Sequence, residues 1–430
     1  MRYALVNPLW TFPRSTYFGC QEPHFPIELF SAKLALEAAG HEALIVDAHM
    51  EKLTYSEVRT RLEGFRPHFL IVPTAPSYLF WRCPPPELRI PKQWIRALRD
   101  EATTVLIGPH GSATPAAALR KTGADLVLRG EADQLLALLA TRSKSEIPGC
   151  CWIENGEVRI TPGLGATDMR AIGPFDYSTY PVELHTHKHH VFTNVAGLGG
   201  EIEFARGCPY SCTFCNKTLF RNKYRERAVA DVLGEIDQLV ARGVTYIYFI
   251  DEIFGVGKQV HDLLEEIAKR PVSIGFQTRI DLWNEDSIEL LGRAHCISFE
   301  CGIESITEEG REEINKNCRL STERISELLI AAKEQIPWVQ ANLIKTPHDD
   351  AAAVAEWQQS LKSHGVWVSE PVPMFPFPGS PEYVQTFGAA PDDCAWERAH
   401  AHYLKTFTDR GYSDIQDQHP LPLEELECAS

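Results

Sequence analysis

The first 140 residues alternate between short apolar runs and longer stretches whose apolar side chains recur at helical spacing. The pattern predicts strands over 3–6, 43–46, 69–72, 105–107 and 126–128. It predicts helices over 27–39, 55–62, 92–100, 116–121 and 133–140, the first ended by Gly40. A turn, Gly108-Pro109-His110-Gly111, follows the fourth strand, and Gly130-Glu131 opens the last helix. Strands alternating with helices at this spacing predict a doubly wound parallel sheet. Ligands of such sheets bind at the carboxyl ends of the strands. Here those ends carry Asn7-Pro8, Thr74-Ala75-Pro76-Ser77, Gly108-Pro109-His110 and Gly130-Glu131.

Residues 141–200 break this rhythm. They are rich in Gly, Pro and Thr, hold one hairpin signal, Glu154-Asn155-Gly156-Glu157, and read as a connector. From residue 201 the alternation resumes, with strands predicted over 202–205, 246–250, 274–278, 297–300, 339–344 and 372–375. Helices over 228–241, 260–269, 286–293, 322–334 and 351–363 lie between them. Six such units predict a parallel sheet over 201–388 curled into a partial barrel, open on one side. The acidic tail, 389–430, reads as a helix followed by an extended end. The fold class is therefore α/β, with a doubly wound domain followed by a partial six-stranded barrel.

Composition narrows the chemistry. The chain has 430 residues, 44% of them hydrophobic, and a formal net charge of −16. That charge argues against nucleic acid or an anionic membrane surface as a partner. The opening Met1-Arg2-Tyr3-Ala4-Leu5-Val6-Asn7-Pro8 reads as a strand and not as a signal peptide. No apolar stretch approaches the roughly 20 residues of a membrane helix, so a cytoplasmic location is expected. Twelve cysteines then point to metals or catalysis before disulfides.

Three of those cysteines fall within eight residues, in Arg206-Gly207-Cys208-Pro209-Tyr210-Ser211-Cys212-Thr213-Phe214-Cys215. Cys208, Cys212 and Cys215 can bind three irons of a four-iron cluster, and no fourth cysteine follows nearby to close the site. An open metal position marks a catalytic site. A ligand offering an amine and a carboxylate suits the fourth iron. A structural zinc site would want a fourth Cys or His, and none follows before His261, so a zinc reading needs a distant ligand. Three separate buried thiols are the other alternative.

The cysteine loop and its surroundings resemble the radical S-adenosylmethionine (SAM) superfamily. The matching features are Phe214 between the last two cysteines, Asp251-Glu252-x-Phe254, Gly302-Ile303-Glu304-Ser305 and Phe375-Pro376-Phe377-Pro378-Gly379-Ser380-Pro381. The resemblance implies a [4Fe–4S] cluster, reductive cleavage of SAM, and an electron donor such as a flavodoxin or ferredoxin. It implies that Phe214, Asp251 and Gly302 lie at the cofactors, that Glu304 sits near the SAM ribose, and that Gln277 and Arg279 face the lumen. One stretch departs from the family. Where its members often carry Gly-x-Pro-Gly, this chain runs Leu343-Ile344-Lys345-Thr346-Pro347. Lys345 is thereby a candidate catalytic cation at the barrel mouth, or a lysine pointing to solvent.

Residues 1–140 resemble the cobalamin-binding domain that precedes the barrel in one radical SAM class. The match rests on Asn7-Pro8, Gly40-His41, Val46-Asp47, Ile107-Gly108-Pro109-His110 and Gly130-Glu131. It implies that Thr74, Ser77, Gly108, His110, Gly130 and Glu131 border a corrin. Asp47-Ala48-His49 follows the second strand, and Lys52 stands where a cobalt-ligating histidine motif has glycine, so cobalamin is expected without a protein histidine. The aromatic run over 78–86 is a candidate lid or a packing surface. His185, His187, His189 and His190 form a histidine-rich tract with no acid beside it in sequence.

Two reactions fit these features. The first is cobalamin-dependent methylation of an unactivated carbon or phosphorus of a small molecule. The second transfers the 3-amino-3-carboxypropyl group of SAM to a small acceptor, of the arsinothricin type with arsenic as acceptor. There Cys20, Cys83, Cys296 and Cys301 are candidate contacts for a thiophilic substrate or simply buried thiols. A cobalamin or metal sensor without catalysis is the reading from a different class.

Overall fold

A computed structural model describes residues 1–11, 23–77, 84, 87–185, 196–219 and 221–407. The first domain is built on β1 (Arg2–Asn7), β2 (Glu42–Asp47), β3 (Phe69–Pro73), β4 (Thr103–Ile107) and β5 (Leu126–Leu128). Helices α1 (Ile27–Ala38), α2 (Tyr55–Phe65), α3 (Arg89–Leu98), α4 (Pro109–Ala113) and α5 (Pro115–Thr122) cover it. The strands form because they are buried on both faces: Tyr3, Ala4, Leu5 and Val6 are all 0% exposed. That is why they read as continuous apolar runs and not as alternating ones. Thr54 and Glu57 close a reciprocal cap at the start of α2.

Sequence and structure part at three places in this domain. The turn predicted at 108–111 is instead the short helix α4. Gly108 makes the turn at φ +116°, and Pro109 at the first helical position has the φ a helix needs. The helix predicted over 133–140 narrows to a 3-10 turn, Leu136–Ala140, because Asp133 is tied to Arg206 and Thr167 and caps nothing. The hairpin β6 (Cys150–Glu154) and β7 (Glu157–Ile160) joins β5 antiparallel, giving the order β2-β1-β3-β4-β5-β6-β7. A domain boundary at 140 therefore falls inside this sheet. Within its parallel part the order reverses between β1 and β3, which is the switch point of a doubly wound sheet.

The barrel begins at β8 (Leu198–Ile202), and β9 (Ala205–Arg206) pairs with β10 (Arg225–Glu226) to bracket the cysteine loop. Then come α6 (Val229–Ala241), β11 (Val244–Phe249), α7 (Gln259–Ile267), β12 (Ser273–Thr278), α8 (Glu285–Arg293) and β13 (Cys296–Glu304). They continue as α9 (Glu308–Glu313), α10 (Thr322–Gln335), β14 (Trp338–Leu343), α11 (Ala351–Ser363) and β15 (Trp367–Val368). The six long-range strands are all parallel, in the order β15-β14-β13-β12-β11-β8, so the barrel is open between β15 and β8. The sixth strand is Trp367–Val368 and not the predicted 372–375. Pro371 and Pro373 offer no N–H to a ladder, and only Val372 bridges back to Ile344.

Two further helices, α12 (Pro381–Phe387) and α13 (Ala395–Phe407), return the chain to the first domain. Trp396 lies against His110 at 4.3 Å, and its indole N–H donates to Thr114 Oγ1 at 3.0 Å. Aromatic side chains weld the domains elsewhere too: Phe25 and Phe30 pack with Phe175, Tyr177 and Tyr180 of the connector. Among the described residues, no helix is long and apolar enough to cross a membrane.

Candidate active site

The cysteine loop is held from several sides. Gly207 has φ +85°, and a Cβ there would meet the Lys223 carbonyl at 2.1 Å, so only glycine fits. Its N–H donates to Glu252 at 2.8 Å. Lys217 Nζ donates to the Cys208 carbonyl at 2.6 Å, and Asn315 donates to the Ser211 carbonyl at 2.8 Å. Thr213 N–H reaches the Ile314 carbonyl, and Glu382 N–H reaches that of Thr213, both at 3.0 Å. The barrel, the α9–α10 loop and α12 thus each fix one part of the loop.

Cys208, Cys212 and Cys215 open together onto a cavity of about 310 Å³ at the barrel mouth. Its wall also includes Tyr210, Phe214, Glu252, Gln277, Arg279, Glu300, Gly302, Glu304, Lys316, Asn342 and Phe377. Gln277, Glu300 and Gln340 stand in register across β12, β13 and β14. Their side chains make a polar row, with Gln277 donating to Glu300 at 3.3 Å and Gln340 to Asn342 at 2.7 Å.

The end of β13 is bent for the site. The ladder slips between Gly302 and Glu304, and Glu304 sits at φ +71° in the left-handed region, a cost of about 1 kcal/mol or more for a side chain of this kind. This turns its carboxylate to Lys316 at 2.8 Å. A Cβ on Gly302 would lie 2.4 Å from Glu304 Oε1 and 3.0 Å from Lys316 Nζ, so the glycine of the Gly302-Ile303-Glu304 motif makes room for this pair. Arg279 stacks on Tyr210 at 3.7 Å and is gripped by Asp281 at 2.9 and 2.8 Å. Its buried Nη1 has no hydrogen-bond partner among the described residues, which leaves a charged donor for a ligand.

This donor set fits a four-iron cluster bound through three irons. All three thiols are free, and among the described residues no other cysteine and no histidine lines the cavity, so a closed structural zinc site has no fourth ligand there. Burial pushes all three thiols up, Cys215 to about 12. Without a metal they stay protonated, and iron must displace those protons.

Of the residues singled out in the sequence, Phe214, Gln277, Arg279, Gly302 and Glu304 line this cavity with the three cysteines. Asp251 does not. Buried among β8 and β11, it accepts the backbone N–H groups of Phe204 and Ala205 at 2.8 and 3.0 Å, so it positions the strand that leads into the loop. Burial holds its carboxyl well above the usual range. Lys345 is also a correction. It is exposed and absent from the cavity wall, because its N–H pairs with the Val372 carbonyl at 2.7 Å beyond the strand end and its side chain turns outward. The lysines of the cavity wall are Lys217 and Lys316, and Lys316 sits in a loop with no periodicity to betray it. Replacing Lys345 by alanine is therefore expected to change kcat/KM for SAM by less than about twofold. Lys316→Met is expected to lower it by about 10- to 100-fold, the worth of a charged hydrogen bond. Initial rates on both variants check this.

The first-domain residues lie away from the cavity. Thr74, at the end of β3 beside the switch point, has a buried Oγ1 with no partner among the described residues. Ser77 donates to Glu28. Gly108 makes the turn into α4, and His110 stacks on Trp396. Gly130, at φ +83°, is packed against the backbone of Gly165, 2.5 Å from where a Cβ would sit, so a neighbouring chain segment already requires it to be glycine. Glu131 accepts from Thr167 N–H at 2.7 Å and from Arg225 at 2.8 Å. His49 Nδ1 accepts the Trp10 N–H at 3.0 Å. Cys296 and Cys301 are buried in β13, off the cavity wall. Cys20, Cys83, His187, His189, His190 and most of the aromatic run over 78–86 lie outside the described residues.

One further feature escaped the sequence. Arg206 and Arg221, on either side of the cysteine loop, are buried and bind carboxylates of both domains. Arg206 reaches Asp133 at 2.8 Å and Glu203 at 2.7 Å, while Arg221 reaches Glu203 at 2.8 Å, Glu252 at 2.9 Å and Glu28 at 3.3 Å. Burial outweighs the pull of Arg221 on Glu28 and pushes its carboxyl up to about 7. The folded state then holds this proton more tightly than the unfolded chain. This contribution to stability is present at low pH and is lost as pH rises to about 7. Glu28→Gln is expected to flatten that fall in a series of melting curves from pH 5 to 8.

Together, the fold and site define a two-domain α/β protein with three thiols opening on the mouth of a parallel partial barrel. Residues 202–357 match the radical SAM superfamily. The chain is 25% identical over 288 residues to an uncharacterised methyltransferase of Pyrococcus horikoshii, covering 64% of this chain and 60% of that protein. It is 26% identical over 339 residues to the hopanoid C-3 methylase of Methylococcus capsulatus, covering 76% and 62%. The chain thus spans about three-fifths of the length of these two relatives. Its fold is similar to that of the radical SAM methyltransferase TsrM from Kitasatospora setae, solved with cobalamin and a [4Fe-4S] cluster bound. That match has a TM-score of 0.69 and 19% identity, and covers 89% of this chain and 74% of that one.

Proposed function

We propose that this chain is a radical SAM methyltransferase that uses cobalamin to methylate a small molecule. The observation that carries the reading is the set of three thiols sharing one cavity without a fourth. Cys208, Cys212 and Cys215 hold the cluster, and the cavity beyond them receives SAM. When bound, the cluster supplies the electron that cleaves SAM, and cobalamin supplies a methyl group. The chain's own residues orient and shield. Arg279 offers its Nη1 to a carboxylate, the Glu304–Lys316 pair presents an acceptor and a donor side by side, and Phe214 and Phe377 limit access of water. Gln277, Glu300 and Asn342 give the cavity hydrogen-bonding groups suited to a small polar substrate. The corrin's place is the carboxyl edge of the first sheet, where the Thr74 hydroxyl beside the switch point, without a partner among the described residues, supports it.

Product analysis after anaerobic reconstitution and reduction tests the reading. Formation of 5′-deoxyadenosine with S-adenosylhomocysteine supports it. Methylthioadenosine replaces it with transfer of the 3-amino-3-carboxypropyl group, and no consumption of SAM removes the enzymatic reading altogether.

A further inference from the structure

The acid that meets the histidine tract of the connector is supplied by the fold. His185 and His24 converge on Glu201 of β8, the first barrel strand. His24 Nδ1 lies 2.8 Å from Glu201 Oε1, and His185 Nε2 lies 2.8 Å from both carboxylate oxygens. The three residues are 4%, 0% and 0% exposed. They come from three separate segments: the stretch before α1, the end of the connector and the barrel edge. Among the described residues this is the one group of three His, Cys, Asp or Glu side chains whose ligand atoms all lie within 4.8 Å of one another.

We propose that His24, His185 and Glu201 form a binding site for a divalent transition ion of the zinc type, separate from the cysteine cavity. Two imidazole nitrogens and one carboxylate are a ligand set that zinc takes in proteins, with a fourth position left for water. The present 2.8 Å separations need to open only to about 3.3 Å, the edge of a tetrahedron with bonds of ~2.0–2.1 Å. The carboxylate already has an outer-shell partner. Phe25 N–H donates to Glu201 Oε2 at 3.0 Å and so orients the carboxylate, while the Phe25 ring lies 4.7 Å from that of His185 and walls the site with apolar surface. Because Phe25 opens the segment that feeds α1, an ion here fastens the first domain and the connector to the barrel edge.

The test uses the full chain with Cys208, Cys212 and Cys215 all changed to alanine, which removes competing thiolates. After loading with Zn²⁺ and exhaustive dialysis, one zinc per chain is expected by mass spectrometry. Adding His185→Ala or Glu201→Gln is expected to lower that at least tenfold. Retention unaffected by these changes, or no zinc in the three-cysteine variant, overturns the proposal. Should the added substitutions unfold the chain, X-ray absorption on the zinc-loaded three-cysteine variant decides. A shell of nitrogen and oxygen with two imidazoles supports the site, and sulfur ligands or fewer imidazoles overturn it.

Discussion

Changing Cys215 to alanine is expected to bring both iron content and SAM consumption to background, while the melting temperature stays close to that of the iron-free parent. Its thiol is the most strongly perturbed of the three, pushed to about 12 by burial. Two thiolates cannot hold a four-iron cluster at the cavity. The apolar cost of the change is small, since the loop keeps its anchors through Glu252, Lys217 and Asn315. Iron and sulfide assays with anaerobic SAM turnover on the variant check this. Retention of a full cluster would place the metal elsewhere.

Changing Arg206 to alanine is expected to cost about 3–5 kcal/mol of stability, the usual penalty for breaking a buried ion pair from one side. Its guanidinium is fully buried between Asp133 of the first domain and Glu203 of the barrel, and its loss leaves the Asp133 carboxylate buried without its cation while Glu203 keeps Arg221. Burial raises the Asp133 carboxyl, but the charge of Arg206 pulls it further down, to about 2. That part of the stability is present above the ordinary value of 3.8 and is lost as pH falls toward about 2. In the variant this acid-side dependence is expected to weaken, which denaturant unfolding between pH 2 and 5 measures. An unchanged midpoint at neutral pH would mean that the arginine is not buried as described.

The sequence carried the strands, most of the helices and the cysteine loop because those depend on local pattern. Tyr3 to Val6 is apolar throughout since both faces are covered, and Asn155-Gly156 makes a hairpin turn whatever surrounds it. What the hairpin pairs with is not local. Its edge on β5 became visible only in three dimensions, and so did the true sixth strand. The site divides in the same way. Gly302 and Glu304 stand in a motif, whereas Lys316 lies in a loop between Asn315 and Asn317 and meets Glu304 only through the fold. Lys345 misled because a residue just past a strand end points wherever its next backbone pairing sends it, here outward. Arg206 and Arg221 look like ordinary surface cations in sequence, and their partners Asp133 and Glu28 belong to the other domain.

We propose that three thiols at the barrel mouth hold a four-iron cluster with one iron open to SAM. Electron paramagnetic resonance of the anaerobically reconstituted, reduced protein tests it, recorded with and without SAM. The expected result is a signal of the reduced [4Fe–4S] type that shifts when SAM is added and is missing in the Cys208, Cys212, Cys215 triple variant. A signal indifferent to SAM, or one that survives in the triple variant, would contradict it.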